Sequence, residues 1–397
     1  MDFTFTEEQQ AAAEAARAVF AGVAPDGVPS PSLVPGAVAD DFDRALWTRL
    51  ADADLLSLLL DPSYGGSGLD VIALCLVLRE SAKVLARVPL LESSAAAVTV
   101  QAYGSEEART DLLTRVGRGE VVLSVAAHGR TGHDPAELAV TAQRDADGAW
   151  VLDGVQTAVP WAYNADYIVV PATAVAGDAG LTTEAQHTAM APVGTDNVLL
   201  ALVPRVHEGV VLAEQISTAG ERLAELRLDS ARIAARDVID ADGAWEGLRE
   251  LLTIGTCALA LGLGEGVLTM TGEYTGKREQ FGHPIASFQA VAVQAADRYI
   301  DLRAMEATLW QAAWRISSGA AGALPSAGDV AVAKIWASEG VRRVVQTAQH
   351  LHGGFGADVD YPLHRYHAWA KHLELSLGPA AAHEESLGDL LAAHPLG

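Results

Sequence analysis

The hydrophobic period of this chain changes twice, from helical to alternating and back, and that order limits the folds open to it. Up to about residue 118 apolar residues recur at helical spacing. Thr6-Glu7-Glu8-Gln9 reads as a capping box, because the Thr hydroxyl can accept from a free helix amide while Gln9 reaches back. Ala12, Ala16, Val19 and Phe20 then share a face, and Phe42, Leu46, Trp47, Leu50 and Leu55 make a second stripe. A glycine-rich loop, Pro62 to Leu69, breaks the pattern before another apolar helix from Val71 to Ala86.

Between 119 and 238 the pattern becomes strand-like. Val121 to Val125 suits a buried strand, and Ala139–Arg144 with Ala149–Asp153 reads as a hairpin around Asp147-Gly148. Tyr167–Val170, Val198–Val203, Gly209–Leu212 and Leu226–Leu228 continue the series, as expected of an antiparallel barrel or sandwich. Gly177 to Asn197 has no period and reads as a surface loop. From 239 to 397 long apolar stripes return over Leu248–Arg278, Phe288–Ser318, Asp329–Leu351 and Leu363–Leu377, the pattern of a four-helix bundle. The reading is an α+β chain with an all-helical domain at 1–118, an antiparallel β domain at 119–238 and a helical bundle at 239–397.

Charge and composition exclude several functions. Lys and Arg number 27 against 51 Asp and Glu, a net charge of −24, so nucleic acid is not an expected partner. Cys75 and Cys257 are too few for a disulfide framework or a thiolate metal site. The first residues are acidic where a signal peptide would be basic, and the apolar run Leu251–Gly264 is short for a bilayer. A cytoplasmic protein without membrane insertion is expected. His350, His352, His364, His367 and His372 cluster near the C-terminus, but no nearby carboxylate or cysteine completes a metal set, so no metal is expected. The glycine motifs of dinucleotide and phosphate loops are missing, as are His-Glu-x-x-His and Gly-x-Ser-x-Gly.

Arg278-Glu-Gln-Phe-Gly-His-Pro-Ile-Ala-Ser-Phe-Gln289 is the informative stretch. By pattern it joins two helices. It also gathers a cation, two aromatic rings and a glutamine around one glycine, a surface suited to a phosphorylated ligand. The glycines of His350-Leu-His-Gly-Gly-Phe-Gly356 allow close backbone approach.

Taken with Tyr64-Gly-Gly-Ser-Gly-Leu69 and Tyr361-Pro-x-x-Arg365, these motifs resemble the acyl-CoA dehydrogenase family over nearly the whole chain. The resemblance implies FAD, an acyl-CoA substrate, an electron-transfer acceptor and a dimeric or tetrameric assembly in which each FAD lies between two subunits. It assigns Arg278, Phe281, Ile285, Phe288, Gln289, His350, Gly353 and Gly354 to the ADP half of the cofactor; the family usually has Gln where this chain has His350. The flavin half matches poorly. Only Gly132 and Asp134 survive of the family's flavin segment, aligned with Ala127–Asp134, and Pro160 stands where a hydroxyl is expected. The family's proton-abstracting Glu aligns with Leu377 or, in some members, near Leu252, and leucine accepts no proton. Glu374 and Glu250 are the neighbouring carboxylates that a displaced base would use. The pattern implies a subunit that gives the ADP-half contacts to a homologous catalytic chain in an α2β2 assembly, as in bacterial members acting on bulky thioesters such as sterol side chains. The alternatives are a self-sufficient homotetramer with a displaced base, a flavin monooxygenase and a non-catalytic paralogue.

Overall fold

The computed structural model describes residues 4–130, 138–175 and 197–394. The N-terminal part contains α1 (Glu7–Phe20), α2 (Arg44–Asp52), α3 (Val71–Lys83), α4 (Leu90–Tyr103) and α5 (Glu106–Gly117). Polar caps set their starts. The Thr6 hydroxyl accepts from Gln9 N while Gln9 Oε1 accepts from Thr6 N, and Asp43, Asp70 and Ser105 cap α2, α3 and α5.

The middle part is an eight-stranded sheet. Its strands are β1 (Leu123–Val125), β2 (Val140–Arg144), β3 (Trp150–Val159), β4 (Tyr167–Val175), β5 (Val198–Pro204), β6 (Val210–Ile216), β7 (Arg222–Ile233) and β8 (Val238–Ile239). The order is β6-β7-β3-β2-β4-β5-β8, with β1 also on β4. The sheet is mixed rather than purely antiparallel. Leu123–Val125 pairs parallel with Tyr167–Val169, and Thr141–Gln143 pairs parallel with Thr173–Val175. The other edge of β4 is taken by β5, so β1 and β2 lie in line along one edge, like one interrupted strand. The expected hairpin is present: Arg144 faces Trp150, and Gly148 adopts a φ of 85° in the turn. The segment read as a loop, 177–197, lies almost entirely outside the described residues.

The C-terminal part holds α6 (Ala244–Lys277), α7 (Gln289–Ser318), α8 (Ser326–His352) and α9 (Leu363–Leu375). A further helix, α10 (Ala380–Ala393), packs on α8. Between α6 and α7 a two-residue turn joins β9 (Glu279–Gln280) to β10 (His283–Pro284). Helix α6, 34 residues long, is apolar enough to cross a membrane, but 72% of its most apolar window is buried inside the protein. It packs on α3 and α8 at close range; a Cβ on Gly262 would strike the Arg79 carbonyl. Arg79 ties the same junction through Glu265 and, at 3.1 Å, Glu306. This contact locks the N-terminal helices to the bundle, and the sheet closes against both.

Candidate active site

A cleft opens where the three parts meet. Its wall takes residues from α3, the start of α4, the ends of β1 and β3, the middle of α6 and the end of α9. Apolar side chains dominate it, including Leu78, Val88, Leu91, Leu259 and Leu373. Leu377 and Leu252, which the family resemblance aligns with or near the base, both stand in this wall.

Leu377 has a φ of 58°, a left-handed conformation that a branched side chain adopts at a cost of about 1–2 kcal/mol. Two histidines hold it there. Its N–H donates to His128 Nε2 at 3.4 Å, and its carbonyl accepts from His383 Nε2 at 2.9 Å. Because His128 Nε2 accepts, the ring proton sits on Nδ1, which is buried without a partner among the described residues. Burial lowers both histidines to about 4, so both rings are neutral near pH 7.

The carboxyl groups proposed as displaced bases lie elsewhere. Glu250 accepts from the Ser326 hydroxyl at 3.0 Å, and Glu374 pairs with Lys371 at 2.6 Å; neither lines the cleft. Two other carboxyl groups do: Glu92 on α4 and Glu221 just before β7. Trp161 Nε1 donates to Glu92 Oε2 at 3.1 Å, and His372 Nε2 approaches Glu221 Oε2 at 3.5 Å. Burial raises Glu92 to about 7, helped by the charge of Glu221, and burial likewise raises Glu221 to about 7 against the pull of Arg87. His372 is lowered to about 4 by burial. Pro160 also lines the cleft, where it brings neither a hydroxyl nor an N–H.

The Arg278 region forms a separate, open surface. Arg278 ends α6, and its guanidinium has no ion pair or hydrogen bond with any described residue. Phe281 and Gly282 occupy the tip of the β9–β10 turn with φ of 55° and 79°. Two positive φ values make a tight hairpin in which Asn-Gly is the favoured pair. A phenylalanine there is strained, and its ring is 91% exposed, edge-on to Phe288 at 6.3 Å. Ile285 is half-buried beneath, its N–H bonded to the Arg278 carbonyl at 2.8 Å, while Gln289 and His350 are exposed. Tyr274, one turn before Arg278, stacks on His352 at 4.2 Å and on Phe355 at 5.5 Å. That stack brings the two glycine-bearing motifs to one end of the bundle. Gly353 has a φ of 62°, and a Cβ at Gly353 or Gly354 would meet nothing within 4 Å.

Of the flavin segment, Ala127 and His128 are in the cleft wall, whereas Gly132 and Asp134 lie outside the described residues. The clustered histidines diverge: His364 Nδ1 meets the Tyr361 carbonyl at 2.8 Å while His372 faces Glu221. Among the described residues no three His, Cys, Asp or Glu side chains converge as a metal site. Glu92, Glu221, Trp161 and Tyr274 carry no motif in the sequence; only the fold assembles them.

A mixed sheet held between N-terminal helices and a C-terminal bundle, with a cleft at their junction, is the three-part architecture of acyl-CoA dehydrogenases. The chain belongs to the acyl-CoA dehydrogenase family: its residues 6–120 match the family's N-terminal domain and 252–391 its C-terminal domain. Members of that family are FAD-dependent oxidoreductases. Acyl-CoA dehydrogenase FadE27 of Mycobacterium tuberculosis is 36% identical over 361 residues, 89% of this chain and 90% of that protein. The ChsE4-ChsE5 complex from Mycobacterium tuberculosis aligns with a TM-score of 0.86 and 33% identity, covering 100% of both chains. A variant of the Tcur3481-Tcur3483 steroid ACAD aligns with a TM-score of 0.84 and 34% identity, covering 98% of both.

Proposed function

We propose that this chain is the base-free subunit of a two-chain acyl-CoA dehydrogenase that desaturates an acyl-CoA thioester at its α,β bond. One observation carries the reading: Leu252 and Leu377 both line the cleft, and the adjacent Glu250 and Glu374 do not. Proton abstraction alpha to a thioester needs an acceptor within hydrogen-bond reach, and leucine supplies none. The homologous partner therefore brings the catalytic Glu.

The two halves of the chain's cofactor surface differ in fit. Pro160, Trp161 and a pair of raised carboxyl groups form a poor seat for a flavin ring. The ADP half fits well. Arg278 offers an unpaired fork for pyrophosphate oxygens, Phe281 and Phe288 offer rings to an adenine, and Gly353-Gly354 leave the backbone open. Gln289 and His350 add donors at the same end. FAD, when bound, supplies the hydride acceptor; this chain's residues bind and orient its nucleotide half. Two structural relatives are named as pairs of components, one of them a steroid ACAD, which favours an α2β2 assembly and a bulky substrate. An electron-transfer acceptor then reoxidises the assembly.

The test is the visible spectrum of the purified chain, alone and co-expressed with its homologue. A colourless chain that turns yellow and active only with the partner is expected. A chain that is yellow alone and oxidises acyl-CoA against an artificial acceptor overturns the reading.

A further inference from the structure

We propose that the cleft of this chain binds a small apolar molecule bearing one amine, its ammonium against Glu92 and Glu221 and its hydrocarbon against Leu78, Val88, Leu91 and Leu252. The proposal rests on the flavin lying outside this cleft, as in the function proposed above.

Glu221 is 5% exposed and lines the cleft, and its carboxyl group accepts no hydrogen bond from any described residue. The ring of His372, 3.5 Å from that carboxyl group, is neutral near pH 7. That carboxyl group has no hydrogen-bond donor among the described residues, and the cation that pulls on it, Arg87, is already paired with Asp26. Glu92 shares the cleft and is held on one side by Trp161. The other charged groups nearby are committed in whole or in part. Arg87 is paired with Asp26 and bonds the Ala219 carbonyl at 3.0 Å; its Nε and Nη1 have no partner among the described residues, and its one charge is shared between Asp26 and Glu221. Lys334, lowered to about 8 by burial, donates to Ser338 Oγ and the Leu373 carbonyl, each at 2.9 Å. His128 is neutral and bound to Leu377. The wall thus combines two underserved acids with an apolar surface. An ammonium answers the acids and a hydrocarbon covers the wall, whereas a carboxylate ligand would add a third negative charge. An inorganic cation would leave the apolar wall uncovered.

The test compares hexylamine, hexanol and hexanoate by titration calorimetry on the full-length, flavin-free chain. At about pH 8 hexylamine is expected to bind about tenfold or more tightly than either analogue. The advantage should shrink toward about pH 5.5, where both acids take up protons. Glu92→Gln with Glu221→Gln should erase the preference while hexanol binding, which also reports that the variant is folded, persists. Failure of hexylamine to bind, equal affinity for hexanoate or hexanol at about pH 8, or an undiminished preference in the variant overturns the proposal. A chain purified with flavin in this cleft overturns the proposed function as well, whereas a flavin-free chain without amine preference overturns this inference alone.

Discussion

The Leu377 amide donates to His128 Nε2 at 3.4 Å, joining the end of α9 to the end of β1 across the cleft. The position that the family resemblance aligns with the base is thus fixed by its backbone although its side chain is apolar. Restoring the acid should not restore the enzyme. Leu377→Glu is expected to show no dehydrogenase activity as a single chain, because Pro160 and Trp161 still occupy the flavin side. It should also lose about 1–3 kcal/mol of stability from burying an unpaired carboxyl group. Denaturant melts and an acceptor-coupled acyl-CoA assay on the isolated variant check both; turnover by that variant alone would count against the half-site reading.

Arg278→Ala should loosen FAD from the assembly without unfolding the bundle, since the side chain is exposed and its guanidinium makes no ion pair or hydrogen bond with a described residue. A charge-assisted fork to phosphate contributes about 1.5–3 kcal/mol, or roughly ten- to a hundredfold in affinity. Flavin retained per tetramer after dialysis is the measurement, and unchanged content would remove Arg278 from the site.

Glu250→Gln and Glu374→Gln should leave turnover of the complete assembly within about twofold, because both side chains are engaged outside the cleft. Substituting the partner's Glu should abolish it. A loss of about a hundredfold from either variant of this chain, with FAD still bound, would restore a displaced base.

Glu92 gives a stability signature with a definite sign. Its folded value of about 7 exceeds the ordinary 4.5, so the folded state holds a proton that the unfolded chain releases. Stability from this group is full below 4.5 and declines as pH rises to about 7. Glu92→Gln, which cannot ionise and keeps an acceptor for Trp161, should melt a few degrees above the parent at about pH 8 and level with it near pH 4.5. His128, His372 and His383 act in the opposite sense but are common to both proteins and cancel in the difference. A gap in melting temperature that does not change with pH would show that Glu92 is not the group being titrated.

At the hairpin tip, Phe281→Asn places the residue that two positive φ values favour. The free chain should gain about 1 kcal/mol, while the assembly should retain less flavin. Thermal melts of the one and flavin content of the other separate the two effects; unchanged flavin retention would mean that the ring has no part in the site.

Much of this was legible before the fold was known, and the exceptions share a cause. The stripe of α8 announces itself because burial on one side repeats every helical turn, and α6 announces itself by a long apolar run buried all round. The weakly patterned Ala380–Ala393 gives no such signal, and α10 is visible only when packed on α8. Leu252 and Leu377 could be placed by motif alone. The carboxyl pair could not: Glu92 looks like any helix glutamate until Trp161 and Glu221 arrive from the sheet. The parallel edge of β4 was hidden for the same reason, since register between distant strands is written in no local pattern.

Phe281 has a further consequence for the life of the polypeptide in a cell. A ring 91% in water on a strained turn, with Phe288 beside it, is a surface that other newly made chains can stick to. In the assembly proposed above the nucleotide half of the cofactor would cover this patch, and each copy released from the ribosome carries it bare until then. Its survival is then a race between assembly and aggregation or proteolysis, decided by how soon the covering surface arrives rather than by how firmly the chain itself is folded.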